Sequence, residues 1–247
     1  MEFADGWTLS PHAHAWGQLL YARAGVVNVW TDQGSWVLPP HWALWAPADV
    51  AHAMRFTGAV SLLTLYLRRD LDGLPPHSAV VTVSPLLREL IVRAVDIGML
   101  DERAPVDAAV AALIVHEMGT HATPSLELPL PQTDRLRRVA DHLARMPESE
   151  RSHAALARRF GVGVRTLERG FAAETGLSLG RWRRQARFLA ALRHLGAGAP
   201  VKEAASAAGY RSASAFVAAF RATFNTTPGR YVEEGRGPAR GRGPAPR

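Results

Sequence analysis

One pattern in the second half of the chain occurs twice, and it limits the fold more than any other feature. Residues 153–171, HAALARRFGVGVRTLERGF, read as a helix, a tight turn and a second helix. Small Ala157 suits a close helix crossing, and Gly161, four residues on, supplies a turn position that tolerates positive φ. Leu156, Phe160, Val162, Leu167 and Phe171 make the shared apolar core. Residues 201–220 repeat the plan. Ala205 and Gly209 follow Ala157 and Gly161 by 48 residues, whereas Phe216 and Phe220 follow Leu167 and Phe171 by 49. The second turn therefore carries one extra residue. Residues 179–195 keep a helical period without a breaker and end at Gly196-Ala197-Gly198, so one long helix is expected to join the two units.

Charge sorts with the repeat. Residues 1–132 hold 7 Arg against 13 Asp and Glu, net −6; residues 133–247 hold 21 Arg and Lys202 against 9, net +13, together the chain's +7. Lys202 is the only lysine, so the basic half presents guanidinium groups, whose planar forks match phosphate and guanine. Only that half is expected to meet a polyanion, namely double-stranded DNA. The two halves join through the proline-containing stretch 126–132, LELPLPQ. No cysteine occurs, which excludes disulfides, thiolate metal sites and cysteine nucleophiles. No apolar run approaches the ~18 residues of a membrane span, and the N-terminus lacks a basic-then-apolar signal. A cytoplasmic location without a membrane partner is the expectation.

The N-terminal half changes period. Residues 18–22, 25–30, 35–38, 43–46 and 60–66 are short apolar or β-branched runs punctuated by Gly, Pro, Asp and Asn, the pattern of a small antiparallel barrel. After Pro85, Leu87, Leu90, Ile91, Ala94 and Val95 fall on one helical face; after Pro105, Val110, Leu113, Ile114 and Met118 do so again. Those stripes need the barrel or a second subunit to cover them. Six of the seven Trp lie in the first 45 residues, mostly as barrel core, with one or two expected to line a small-molecule pocket. The fold class expected is α+β multidomain: a small β-barrel with two appended helices, then an all-α domain with two helix-turn-helix units.

His12-x-His14 on an extended segment places two imidazoles on one side, and Gln18 stays on that side if the strand runs unbroken. His52 follows after a loop. This constellation resembles the two cupin motifs, in which two His, a Glu and a later His hold a metal inside a jelly-roll. Gln18 stands where the cupin site has Glu, and Asp49 where the second motif has Gly; a neutral amide adds no charge to hold a cation. Two readings stand. His12, His14, Gln18 and His52 line a barrel mouth as polar groups for an organic ligand, or they hold a divalent ion, for which imidazoles favour Zn²⁺, Ni²⁺ or Cu²⁺. No cofactor is required by either reading.

Residues 134–231 resemble the DNA-binding domain of AraC/XylS transcriptional regulators, most specifically in 167–178 (LERGFAAETGLS), 208–216 (AGYRSASAF) and Phe220 through Tyr231. The N-terminal half resembles the cupin-type sensing domain common in that family. The resemblance implies residues 1–125 as an effector-binding and dimerisation domain, 126–132 as a linker, 133–234 as the DNA-binding domain and 235–247 as a disordered basic tail. It also implies a homodimer through the helices after the barrel and a small-molecule or metal effector. The second helix of each unit leads into the major groove. In the first unit this exposes Arg165, Thr166, Glu168 and Arg169, where Arg can bind guanine bidentately and Glu can accept from cytosine N4. In the second it exposes Ser212, Ala213 and Ser214, poor in donors, with Arg211 and Arg221 as phosphate anchors. The first unit is thus expected to provide most base readout. A metal-dependent cupin enzyme fused to a DNA-binding domain is the alternative, although no nucleophile–base pair is evident; a constitutive DNA-binding protein whose barrel only dimerises is a third.

Overall fold

The computed structural model describes residues 1–32, 34–40, 42–101, 103–120, 127–147, 152–224 and 226–235. The basic tail beyond residue 235 and the first residue of the proline-containing stretch lie outside them. The N-terminal half contains strands β1 (Glu2–Phe3), β2 (Thr8–His12), β3 (Gly17–Trp30), β4 (Gly34–Leu38), β5 (Trp42–Ala46), β6 (His52–Leu67) and β7 (Ala79–Thr82). Helices α1 (Pro85–Ile97) and α2 (Pro105–Thr120) follow, then a short strand β8 (Glu127–Pro129). The remainder is helical: α3 (Asp134–Arg145), α4 (His153–Arg159), α5 (Val164–Thr175), α6 (Leu179–Gly196), α7 (Val201–Ala207), α8 (Ala213–Phe224) and α9 (Pro228–Gly235).

Two long strands organise the barrel. The sequence reading divided residues 18–30 into two strands, but β3 is one 14-residue strand, and β6 starts at His52 instead of residue 60. The first half of β3 pairs with β5 and the end of β6; its second half pairs with β4 and the start of β6. Both strands fold over near Gly25 (φ 71°) and Gly58 (φ 75°), a left-handed backbone open to glycine, and the register slips between Ala22 and Val26. That slip exchanges faces. Leu20 and Ala22 point into the barrel before it, Val27 and Val29 after it, alongside Trp36, Leu44, Phe56 and Leu62. A simple period of two carried through the fold would have put half of β3 on the wrong side.

The outer faces are covered by different partners. Leu19, Tyr21, Trp45 and Leu65 pack under α1 and α2 through Leu87, Ile91, Val110, Ile114 and Met118. Ser84 caps α1 by accepting from the Leu87 N–H and donates to Glu117 at 2.6 Å, tying the two helices together. Leu113, expected on the buried stripe, is 43% exposed, and Val106 is 67% exposed. Val110, Ile114 and Met118 form the buried stripe of α2, which is narrower than the period suggested.

On the other face, Val26, Val37, Trp42, Leu128 and Leu130 share one core with the C-terminal helices. Burying side chains of this size stabilises by about 1.5–3 kcal/mol each. Residues 127–129 of the proline-containing stretch form an edge strand on β4. Helix α6 lies against it: Trp182 Nε1 donates to the Pro129 carbonyl at 2.8 Å, and Gln185 Nε2 donates to that of Glu127. The end of α6 sits at the barrel's fold line, where a Cβ on Gly196 would come within 1.9 Å of Val26 Cγ2. Only glycine permits that approach.

Candidate effector site and DNA-facing surface

The strand geometry gathers the barrel-mouth residues although the segment carrying them is not one strand. β2 ends at His12, where it pairs directly with His52, and residues 13–16 turn before β3 begins. His14 therefore reaches the site from a bend, not from the unbroken strand assumed in the sequence reading. The imidazole centroids lie 4.6–5.6 Å apart, and one nitrogen from each of the three rings lies within 4.8 Å of the others. Gln18, buried, donates from Nε2 to the Tyr66 hydroxyl at 3.3 Å, and the Tyr66 ring stands 5.2 Å from that of His14.

Hydrogen bonds set the tautomers. His12 Nδ1 lies 2.8 Å from the Ser10 carbonyl and His52 Nδ1 3.0 Å from that of Val50. A carbonyl only accepts, so each Nδ1 carries the proton and each Nε2 keeps its lone pair. The buried Nε2 atoms of His14 and His52 and the Oε1 of Gln18 have no partner among the described residues. Burial first, and His12 second, holds the His14 pKa below the ordinary imidazole value. Burial does the same for His52, partly opposed by its bond to the Val50 carbonyl and assisted by His12 and His14. The neutral, ligating form is favoured at His14 and His52. The bend is clipped from outside: Asp49 N donates to the His14 carbonyl at 2.8 Å, and Arg69 donates to both the Ala15 carbonyl and Asp49. Asp49 adopts φ 65°, which explains how it replaces the glycine of the cupin pattern.

These features fit a borderline transition-metal ion. Tetrahedral Zn–N bonds of ~2.0–2.1 Å need nitrogens about 3.4 Å apart, so the half-buried His12 and His14 rings would have to close on buried His52. Among the described residues no carboxylate joins the histidine group. Of the tryptophans, Trp36, Trp42 and Trp45 are core, while Trp7, Trp16 and Trp30 are exposed.

On the helical domain, α4–α5 and α7–α8 form the two repeated units, with turns of four and five residues. Arg165, Thr166, Glu168 and Arg169 are all exposed on α5, opposite buried Leu167 and Phe171. Glu168 is engaged: its carboxylate lies 2.7 Å from His153 Nδ1 on α4. In the second unit Arg211, Ser212 and Ser214 are exposed and Ala213 partly so at the start of α8, while Arg221 sits in its last turn. The Ser212 hydroxyl accepts from the Ala215 N–H and so serves as a helix cap. The barrel covers neither face.

The sequence reading missed the braces beneath these faces. Arg135 donates to the Gly161 carbonyl in the first turn at 2.9 Å. Arg187 on α6 donates to the Pro147 carbonyl and packs its guanidinium on Gly209 in the second turn. Glu174 accepts from the N–H groups of Gln132 and Thr133 and from the Thr133 hydroxyl, fixing the start of α3. The Thr133 hydroxyl, first among these bonds, holds the Glu174 pKa below the ordinary carboxylate range. None of these contacts has a local sequence signal, since partners lie 22 to 42 residues apart.

Comparison with known proteins joins the two halves. Residues 3–102 match the AraC-like ligand binding domain and residues 156–234 a helix-turn-helix domain. The HTH-type transcriptional regulator NimR of Escherichia coli K12 is 29% identical over 228 residues, covering 92% of this chain and 84% of that protein. The HTH-type transcriptional regulator RipA of Corynebacterium glutamicum is 32% identical over 104 residues, 42% of this chain and 31% of RipA. Among solved structures, the DNA-binding domain of AdpA in complex with a target DNA is similar at 28% identity and TM-score 0.39, covering 42% of this chain and 95% of that one. ToxT from Vibrio cholerae O395 is similar at 11% identity and TM-score 0.42 over 96% of both chains. The family and these relatives are transcriptional regulators, so the cupin-enzyme alternative falls away. With a cupin-type ligand-binding barrel and two helix-turn-helix units in this order, the chain belongs to the AraC family of DNA-binding transcriptional regulators.

Proposed function

We propose that this regulator senses a divalent transition-metal ion held by His12, His14 and His52 at the barrel mouth. The observation that carries the reading is the pair of buried Nε2 atoms of His14 and His52 with no partner among the described residues, beside His12, whose Nδ1 proton, like that of His52, is tied to a backbone carbonyl. Buried polar atoms are rarely left unsatisfied, and a lone-pair cluster is satisfied by a cation. The donor set of neutral nitrogens favours Zn²⁺, Ni²⁺ or Cu²⁺ over Mg²⁺ or Ca²⁺. Gln18 and Tyr66 complete the mouth as neutral neighbours, so the site binds without a compensating carboxylate, which suits reversible occupancy. When bound, the ion would draw the β2 end, the bend and the β6 start together.

The DNA-facing roles follow from exposure and chemistry. Arg165, Thr166, Glu168 and Arg169 read bases from α5; Ala213 and Ser214 fit the groove, and Arg211 and Arg221 hold phosphate. A homodimer forms through α2, whose exposed Val106 and Leu113 need cover. Thermal unfolding of the full chain with Zn²⁺, Ni²⁺, Cu²⁺, Mg²⁺ and Ca²⁺ tests the effector. The first three should raise Tm, and His14→Ala should abolish the rise while Gln18→Ala retains it. A real effector must also bind the two states differently, so affinity for an operator obtained by selection should change with the ion. An unaltered Tm, or a rise that survives His14→Ala, defeats the metal reading.

A further inference from the structure

We propose that His153 is a specificity-determining positioning residue: by holding Glu168, it keeps the Arg165 fork available for DNA bases. The inference rests on the reading above that the α5 face meets base edges. Its own support is a contact between the two helices of the first unit. His153, the first residue of α4, places Nδ1 2.7 Å from Glu168 Oε1, with both side chains partly exposed.

Without that contact, helix geometry would give Glu168 another partner. Arg165 lies three residues before it, and side chains at i and i+3 are neighbours on a helix, whereas the adjacent Arg169 diverges. Arg165 is the only cation at a three- or four-residue spacing from Glu168 on α5. Yet neither Arg165 nor Arg169 makes a hydrogen bond or ion pair within the described residues. An arginine committed to a carboxylate has fewer N–H groups left for guanine O6 and N7, and breaking such a pair at the groove subtracts from the gain in recognition. His153 removes that competition. It also holds one carboxylate oxygen of Glu168 and leaves the other to accept from cytosine N4. The residue touches no base in this role; it acts through Glu168.

Binding-site selection with the full chain tests the inference through sign epistasis. Arg165→Ala marks the base position that Arg165 reads. His153→Ala should weaken preference at that same position by about fivefold or more, with Tm moved by no more than about 2 °C. His153→Gln, which keeps an N–H donor, should restore most of it. In a Glu168→Ala background the competitor is gone, so His153→Ala should have no effect, and the double variant should regain the preference lost in His153→Ala alone. Uniform weakening across all sequences in His153→Ala, or additive losses in the double variant, overturns the role. A position-specific loss in Arg165→Ala with none in His153→Ala overturns it while sparing the base-readout reading. If Arg165→Ala itself weakens all sequences alike, base readout by Arg165 fails and this inference falls with it.

Discussion

The two helix-turn-helix units share a backbone plan and differ in what they present to DNA. The first packs Leu156, Ala157, Leu167 and Phe171; the second packs Ala204, Ala205, Phe216 and Phe220. Over these equivalent cores, α5 exposes two arginines and a glutamate, whereas the start of α8 exposes serine and alanine and its one arginine, Arg221, comes only in the last turn. Each turn contains a left-handed glycine, Gly161 at φ 63° and Gly209 at φ 72°, and each is braced by an arginine from another helix. The scaffold fixes how a helix is offered, and the exposed side chains fix what it can read. On the proposed reading, a shared fold leaves the division between base readout and groove fit to a few exposed positions.

The largest expected effect separates the units directly. Arg169→Ala should cost about 1–3 kcal/mol in operator binding and relax one base position, measured by binding-site selection; Ser214→Ala should change affinity by less than about 0.5 kcal/mol. Equal losses in the two would erase the asymmetry. The turns give the next effect. Gly161→Ala should destabilise by about 1–2 kcal/mol through its left-handed backbone alone, since nothing lies within 4 Å of an added Cβ. Gly209→Ala should cost more in chemical denaturation, because its Cβ would meet the Arg187 guanidinium at 3.2–3.4 Å and disturb the bond to Pro147.

A smaller effect belongs to the first unit alone. Glu174 is held ionised by Thr133 and Gln132, so its folded pKa lies below its unfolded one. The unfolded state then binds more protons in acid, and this contribution is complete above the ordinary carboxylate value near 4.5 and is lost as pH falls through the depressed folded value. Glu174→Gln should cost about 1 kcal/mol at neutral pH, given partial exposure. It should also flatten the acid limb of a stability–pH curve. An unchanged limb would remove Glu174 as the clamp on α3.

The repeat was legible because helix-turn-helix packing is local. Ala157, Gly161 and Leu167 sit within eleven residues, and period and turn chemistry identify them. The long α6 was legible for the same reason. The barrel was less so. β3 and β6 fold at glycines with a register slip, and a two-residue period read along the sequence does not anticipate a change of face. His12, His14 and His52 were identified as a group, but the pairing of His12 with His52 comes from strand register across 40 residues. The His153–Glu168 contact and the Arg187 brace carried no signal at all, since side chains of no fixed spacing make them.

The sequence by itself determined two unlike halves, two helix-turn-helix units, a guanidinium-rich DNA-facing side and a histidine group built without cysteine. Composition, periodicity and turn residues suffice where each energetic requirement is met by near neighbours. Only the tertiary structure decided which imidazole nitrogens keep their lone pairs, which arginines on α5 have no partner among the described residues, and that α6 rests on the barrel's fold line beside Val26. Those outcomes depend on groups distant in sequence competing for the same hydrogen bond or the same space, and the competition is settled only when the chain has folded.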